Sequence, residues 1–331
     1  MRPAHTAAAA EPPGSGGFVH AALLYADDDQ FVTSAVSFLE DAARGGGPVI
    51  VALGPASSRL LRAAAPDTLS AAGALDLGGH HHRPAAVLRH YHELFTRLVA
   101  DGATRVSVLG EVPHPGIGVP WDEWARYEAA INHAYAPFPV RGLCSYDLRT
   151  TPPEVLDDVR RTHPLLHGAQ GSVHSPGFEG PEAFLARHAP PPREWALPAR
   201  TAAVDLTDPS PWSARAAVQA LARDTALVPE DVDNLVLAVS EAVSNGLVHG
   251  EPPVRLRMWP EADRVVAAVD DRGRGPAGPY AGMLRVTDSA TGGLGLWLIH
   301  QVCAQVSFGR VDGGFRIRMV AGLPDGVDGG S

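Results

Sequence analysis

Three short stretches of this chain carry side chains that could do chemistry together. The first, "LAVSEAVSNGLVHGEPP" (Leu237 to Pro253), sets Glu241, Asn245 and His249 at successive four-residue intervals. That spacing stacks side chains along one face of a helix, while Leu235, Val239, Ala242, Val243 and Leu247 make an opposite, core-seeking stripe. The polar stripe could simply be the solvated side. It could also put a carboxylate able to take a proton from a hydroxyl or water beside an amide oxygen suited to Mg²⁺. His249 reads as a helix-end histidine facing the last carbonyls. The second stretch, "DDRGRG" (Asp270 to Gly275), directly follows an apolar strand pattern. A carboxylate at a strand end can accept a hydrogen bond from an exocyclic amine while glycines turn the chain beneath a flat base. The third, "TGGLGL" (Thr291 to Leu296), opens a helix, where absent side chains and free N–H groups favour an anion.

Each fragment alone is ordinary, because Glu–Asn pairs usually face water and glycine clusters usually make turns. "GRGPAG" (Gly273 to Gly278) even fits G-x-G-x-x-G, but Pro276 and Pro279 follow and no helix opens there.

These fragments need elements to position them. From about Thr201 onward, "AAVDL" is a strand and "SPWSARAAVQALARDTAL" a helix capped by Ser210. "PEDVDNLVLAVSEAVSNGLVHG" is a helix started by Pro229, and "PVRLRMW" and "RVVAAVDD" are strands joined by "PEAD". "GLGLWLIHQVCAQV" is a helix, and "VSFGRVDGGFRIRMVAG" a hairpin turning at "DGG". Helices on one face of a mixed, largely antiparallel sheet make an α+β sandwich. Upstream, short buried strands ("HAALLY", "PVIVALG", "RVSVLG", "VRGLCSYD") alternate with helices, which predicts an α/β fold with a mostly parallel sheet. Residues from about 164 to 200 break this rhythm and are proline-rich, so the linker is expected within them.

Composition narrows the function classes. A chain of 331 residues, 45% hydrophobic, can bury a core in each of two domains. A net charge of -10 argues against direct nucleic-acid binding, which needs a basic face. The complete absence of lysine excludes a Walker-A loop and the ATP-pairing lysine of eukaryote-type kinases. Cys144 and Cys303 lie far apart in apolar stretches and read as buried thiols rather than a disulfide. No apolar run is long enough to span a membrane, and "MRPAHTAAAAEPPGSGG" is a poor signal peptide, so a soluble cytoplasmic protein is expected. "HHHR" (His80 to Arg83) invites a metal, yet three consecutive side chains rarely converge on one ion, which favours a solvated loop. "CSYD" (Cys144 to Asp147) ends a strand, where α/β sheets place ligands, although a structural thiol is the simpler role.

In their order, Glu241 with Asn245, then Asp271-Arg-Gly273-Arg-Gly275, then Gly293-Leu-Gly295 resemble the N box and two glycine boxes of the GHKL ATPase superfamily, over about Thr201 to Leu323. The resemblance implies a Bergerat sandwich binding ATP and Mg²⁺. Asn245 would hold the metal, Asp271 would receive the adenine amine within the box formed with Gly273 and Gly275, and Gly293 and Gly295 would line a lid over the phosphates. "SEAVSNGLVHG" is most similar to anti-sigma-factor serine/threonine kinases of the RsbW and SpoIIAB type. That similarity implies Glu241 as general base, Arg215 of "PWSAR" at a protein contact, a sigma factor and an anti-anti-sigma (STAS) protein as partners, and a homodimer. Two departures stand out. "GGFRIRMV" lacks the threonine common near the adenine, and "PAGPYAGMLRVTDSAT" between the glycine boxes is short and proline-bearing. A module that binds ATP or partners without transferring phosphate is therefore the alternative. The output half of a histidine kinase ranks lower, because His163 and His167 are followed by proline and glycine and sit on no long dimerisation helix.

"HAALLYADDDQFVTSAVSFL", "LCSYD" and "THPLLH" resemble the MEDS sensory domain of DcmR-type regulators, over about Gly17 to Phe184. That resemblance implies a degenerate RecA-like fold and the sensing of a small organic ligand. The expected organisation is a tail (1–16), a sensory domain (17–184), a linker (185–200), an ATPase or anti-sigma kinase domain (201–325) and a second tail (326–331).

Overall fold

Asp27 starts the first helix of the chain: its carboxylate accepts the Gln30 N–H at 2.8 Å, and Asp28 and Asp29 occupy the positive first turn. This helix, α1 (Asp28–Arg44), follows the apolar strand β1 (Val19–Tyr25) and gives way to β2 (Val49–Ala52), α2 (Pro55–Ala64), α3 (Pro66–Ala71) and the short β3 (Gly73–Ala74). Next come α4 (Pro84–Ala100), β4 (Val106–Glu111), α5 (Asp122–Ala134), β5 (Val140–Asp147) and α6 (Pro153–Thr162). The computed structural model describes residues 17–71, 73–74, 84–119, 121–168, 171–187, 196–276, 278–285, 294–311 and 313–322. The chain divides into two units after His188.

In the first unit the strand order is β3-β2-β4-β5-β1-β6-β7, where β6 is Leu165–Gly168 and β7 is Gly171–His174. All pairs are parallel except the β6–β7 hairpin, as the alternating pattern predicts. Phe31, Leu39, Leu61, Leu109 and Leu143 are fully buried between helices and sheet. The stretch after residue 164, where no regular pattern was expected, still adds to this unit: β6 pairs with β1, β7 turns back on it, and α7 (Pro181–Arg187) buries Phe184 and Leu185. Four-residue strands built from "LLHG" and "GSVH" are too short and too polar to show a period of two.

The second unit contains β8 (Val204–Thr207), α8 (Pro211–Ala222), α9 (Pro229–His249), β9 (Arg255–Pro260), β10 (Val265–Asp271), α10 (Leu294–Val302), β11 (Gln305–Val311) and β12 (Gly314–Ala321). The order is β11-β12-β10-β9-β8. Among the described strands every pair is antiparallel rather than mixed, because two tight hairpins and the returning helix pair α8–α9 each reverse the chain. Val265, Ala267 and Val269 face α9 and α10, while Val266 and Ala268 face away to pack with Trp259 and Val320. The buried stripe of α9 runs through Leu235, Val239, Ala242 and Val243 to Gly246, where the 3.6-residue period takes it. Leu247, expected in that stripe, is 44% exposed. Among the described residues no helix is long and apolar enough to cross a membrane.

Candidate functional site

The alternation along β10 sends Asp270 and Asp271 to opposite faces of the sheet. Asp270 is clamped by Arg257 of β9 (2.8 Å) and Arg316 of β12 (2.5 Å), which fixes the strand end. Asp271 turns toward α9, where its Oδ1 accepts N–H bonds from Gly273 at 2.6 Å and Glu251 at 3.4 Å. Both backbone donors go to Oδ1, which leaves Oδ2 to accept from a ligand. Burial raises the Asp271 pKa above the usual carboxylate range, and the two backbone donors oppose that shift. Gly250 and Gly273 are required here, since a Cβ on either would lie within 2.7 Å of the Asp271 carboxyl group. Gly275 has φ +73°, and a Cβ there would sit 2.3 Å from the Phe315 ring.

These groups border a cavity of about 300 Å³. Its polar lining is Asn245, His249 and Asp271; its apolar walls are Pro276, Leu296, Phe315 and Ile317. The volume sits at the lower end of the roughly 300–1,000 Å³ of small-molecule pockets. His249 thus lines the cavity, while the carbonyls it was expected to face, those of Asn245 and Gly246, receive the Gly250 N–H instead. Phe315, Ile317 and Leu296 were not anticipated. The two-residue spacing of Phe315 and Ile317 on the strand paired with β10 was the available signal.

Gly295, in the first turn of α10, closes one end of the site. A Cβ on it would stand 2.7 Å from Asn245 Nδ2 and 3.0 Å from Glu241 Oε2, so the start of α10 lies directly against that pair. The first described turn of α10, the Asn245 amide, the Glu241 carboxylate and an apolar slot bordered by Asp271 therefore lie together. Arg215 is exposed on α8 and donates to Ser240 Oγ at 2.9 Å, next to Glu241 in sequence. Gly293 and the rest of the segment 286–293 lie outside the described residues, as does His80 to Arg83.

The arrangement fits a purine nucleotide with Mg²⁺. The slot could accept a flat base, Asp271 an amine and the Asn245 amide oxygen a hard cation, and Gly295 would leave room where phosphates need close approach. When bound, Mg²⁺ would neutralise phosphate charge. Cys144, expected as a buried thiol, is only half-buried in the first unit and lines a separate small cavity. Neither cysteine is in a disulfide.

Comparison with known proteins gives two family matches. Residues 19–164 match the model of MEDS, the methanogen/methylotroph, DcmR sensory domain, and residues 207–321 match that of the histidine kinase-like ATPase domain. Among solved structures, the chain is similar to the histidine kinase domain of the E. coli osmosensor EnvZ, determined by NMR. The identity is 20% over 41% of this chain and 98% of that chain, with a TM-score of 0.23, too loose a likeness to carry an argument. No curated protein matches the chain. The two matches are to different families and fall one in each unit.

Proposed function

We propose that the second unit binds Mg·ATP and transfers the γ-phosphoryl group to a serine or threonine of an anti-anti-sigma (STAS) protein, or sequesters a sigma factor, under control of the first unit. The observation that carries the nucleotide reading is the convergence of Asn245 and Asp271 on one cavity, with Gly295 and Glu241 lying against Asn245. On this reading the fold is a Bergerat sandwich, and the first unit is a degenerate RecA-like sheet that senses a small molecule. Glu241, beside Asn245, would take the proton of the attacking hydroxyl. Such transfer asks little covalent chemistry of the protein beyond positioning, charge stabilisation and a base. The serine/threonine assignment and the two partners draw their support from the local similarity of "SEAVSNGLVHG" to anti-sigma kinases. His163 is fully buried at the end of α6, which disfavours it as an accessible phosphoacceptor.

A second reading has its own observation. Phe315 and Ile317 supply no hydroxyl to the base-sized end of the cavity, which favours a weak binder that acts by holding partners. Titration with Mg·ATP of the wild type and Asn245→Ala decides the first point. Binding that is lost in the variant supports the nucleotide site, whereas no binding by the wild type leaves the partner-holding reading. Phosphate on a STAS protein that survives acid then supports serine or threonine chemistry over histidine.

A further inference from the structure

Four ligand-type side chains meet inside the first unit, independently of the nucleotide reading. His20 of β1, Glu128 of α5, Cys144 of β5 and His163 at the end of α6 bring one donor atom each within 4.8 Å of all the others. His20, Glu128 and His163 are each at most 1% exposed. The Cys144 sulfur lies 3.5 Å from His20 Nε2, beside a cavity of about 60 Å³ walled partly by Tyr91 and Trp124.

The surrounding hydrogen bonds fix where the protons are. Asn132 Nδ2 donates to the carbonyls of Glu128 (2.9 Å), Ala129 (3.3 Å) and Thr162 (2.8 Å). Its Oδ1 is therefore the atom 3.1 Å from His20 Nδ1, and that nitrogen must carry the hydrogen. His163 Nδ1 sits 2.8 Å from the Val159 carbonyl, again an acceptor, so it too is the N–H. In neutral rings both Nε2 atoms then present lone pairs, and both face Glu128 Oε2, at 3.2 Å from His20 and 2.9 Å from His163. Charging both rings would put two imidazolium ions with centroids 3.9 Å apart in a buried site, which repulsion and desolvation oppose. At least one lone pair therefore faces a carboxylate oxygen with no proton between them. In keeping with this, neither Glu128 oxygen nor His163 Nε2 makes a hydrogen bond of acceptable geometry.

A cation among these atoms removes the conflict. We propose that His20 Nε2, His163 Nε2, a Glu128 oxygen and the Cys144 thiolate bind one divalent cation of the zinc class. Two imidazoles, a carboxylate and a thiolate form a donor set that such ions take in tetrahedral geometry. Bonds of about 2.0–2.3 Å separate tetrahedral ligands by roughly 3.3–3.8 Å; three donor pairs, at 2.9, 3.2 and 3.5 Å, are already near that spacing, and the widest lies within 4.8 Å. The charge balances as well: a dication with one carboxylate and one thiolate is neutral, which suits a buried site. Binding releases the Cys144 proton to solvent. Each imidazole already donates its other N–H to an oxygen, the outer-shell pattern that orients metal-bound histidines. The four ligands come from β1, β5, α5 and α6, so the ion would tie the sheet to two helices.

The test uses the full chain, stripped with a chelator and titrated with Zn²⁺ and, separately, Co²⁺. One equivalent of Zn²⁺ retained after gel filtration is expected, together with a sulfur-to-cobalt charge-transfer band in the near ultraviolet. Cys144→Ser should abolish the band, and His163→Gln should weaken Zn²⁺ binding at least ~10-fold. Stripped wild type that keeps its near-ultraviolet circular dichroism yet takes up neither ion would overturn the proposal, and so would a cobalt spectrum unchanged in Cys144→Ser. Either result would leave the cluster as a buried imidazolium–carboxylate pair.

Discussion

At the scale of single residues, Asp271 sets stability against the ligand-binding role proposed for it. Its burial makes ionisation harder in the folded chain than in the unfolded one. A carboxyl group with a raised folded pKa favours the folded state below its unfolded value, near 4, and that advantage is lost as pH rises through the folded value. At neutral pH the ionised Asp271 is thus a cost to folding. Asp271→Asn should raise the melting temperature at pH 7, with the gain shrinking toward pH 4 in paired melts, while Mg·ATP affinity falls at least ~10-fold from the loss of a buried charged acceptor. An unchanged affinity would remove Asp271 from the site. Glu241, beside Asn245, asks a different question. Glu241→Ala should keep nucleotide affinity within a factor of about two, yet slow phosphoryl transfer by ~10²–10⁴-fold if the carboxylate is the base. Equal losses in affinity and rate would instead make it a binding residue.

At the scale of elements, two glycines separate what holds the fold from what holds the ligand. Gly275 has a left-handed backbone and lies on the Phe315 ring, which is packed in the core of the second unit. Gly275→Ala should cost about 1–3 kcal/mol in urea denaturation, from overpacking and backbone strain. Gly295 approaches the movable ends of Asn245 and Glu241 instead. Gly295→Ala should leave stability within about 1 kcal/mol of the wild type, since alanine favours the helix, while displacing both side chains and weakening Mg·ATP binding ~10-fold or more. If the two variants exchanged these phenotypes, the assignment of α10 to the site would fail. The same contrast shows what was legible in the sequence. Glu241 and Asn245 are one helical turn apart and Asp271 ends a strand, so local periodicity alone placed them on their elements. That Gly295 touches Asn245, or that Phe315 and Ile317 wall the slot, depends on pairing and packing that no local pattern encodes. The hairpin β6–β7 escaped notice for a related reason: its register comes from β1, far away in sequence.

At the scale of the whole chain, the four-ligand cluster was the least legible feature, because His20, Glu128, Cys144 and His163 come together only when β1, β5, α5 and α6 pack. Taken one at a time, Cys144 read as a structural thiol and His163 as a residue before a proline. Among the described residues, each unit has an apolar core cluster of its own. Each should therefore fold alone, and a fragment covering Ala189–Ser331 should bind Mg·ATP with an affinity of its own. If the first unit controls the second, the full chain must differ from that fragment in a way that depends on what the first unit holds. Coupling between sites commonly amounts to about 1–3 kcal/mol, or roughly 5–150-fold in affinity. The expected outcome is a shift of that size in the Mg·ATP affinity of the full chain between its zinc-loaded and metal-stripped forms, with none in the fragment. Linkage then requires nucleotide to change zinc affinity by the same factor, which gives an independent check on the same protein. Equal affinities in all three samples would place control at the encounter with a protein partner instead. The exposed α8 carrying Arg215 and Trp212, 72% exposed, would be the first surface to alter.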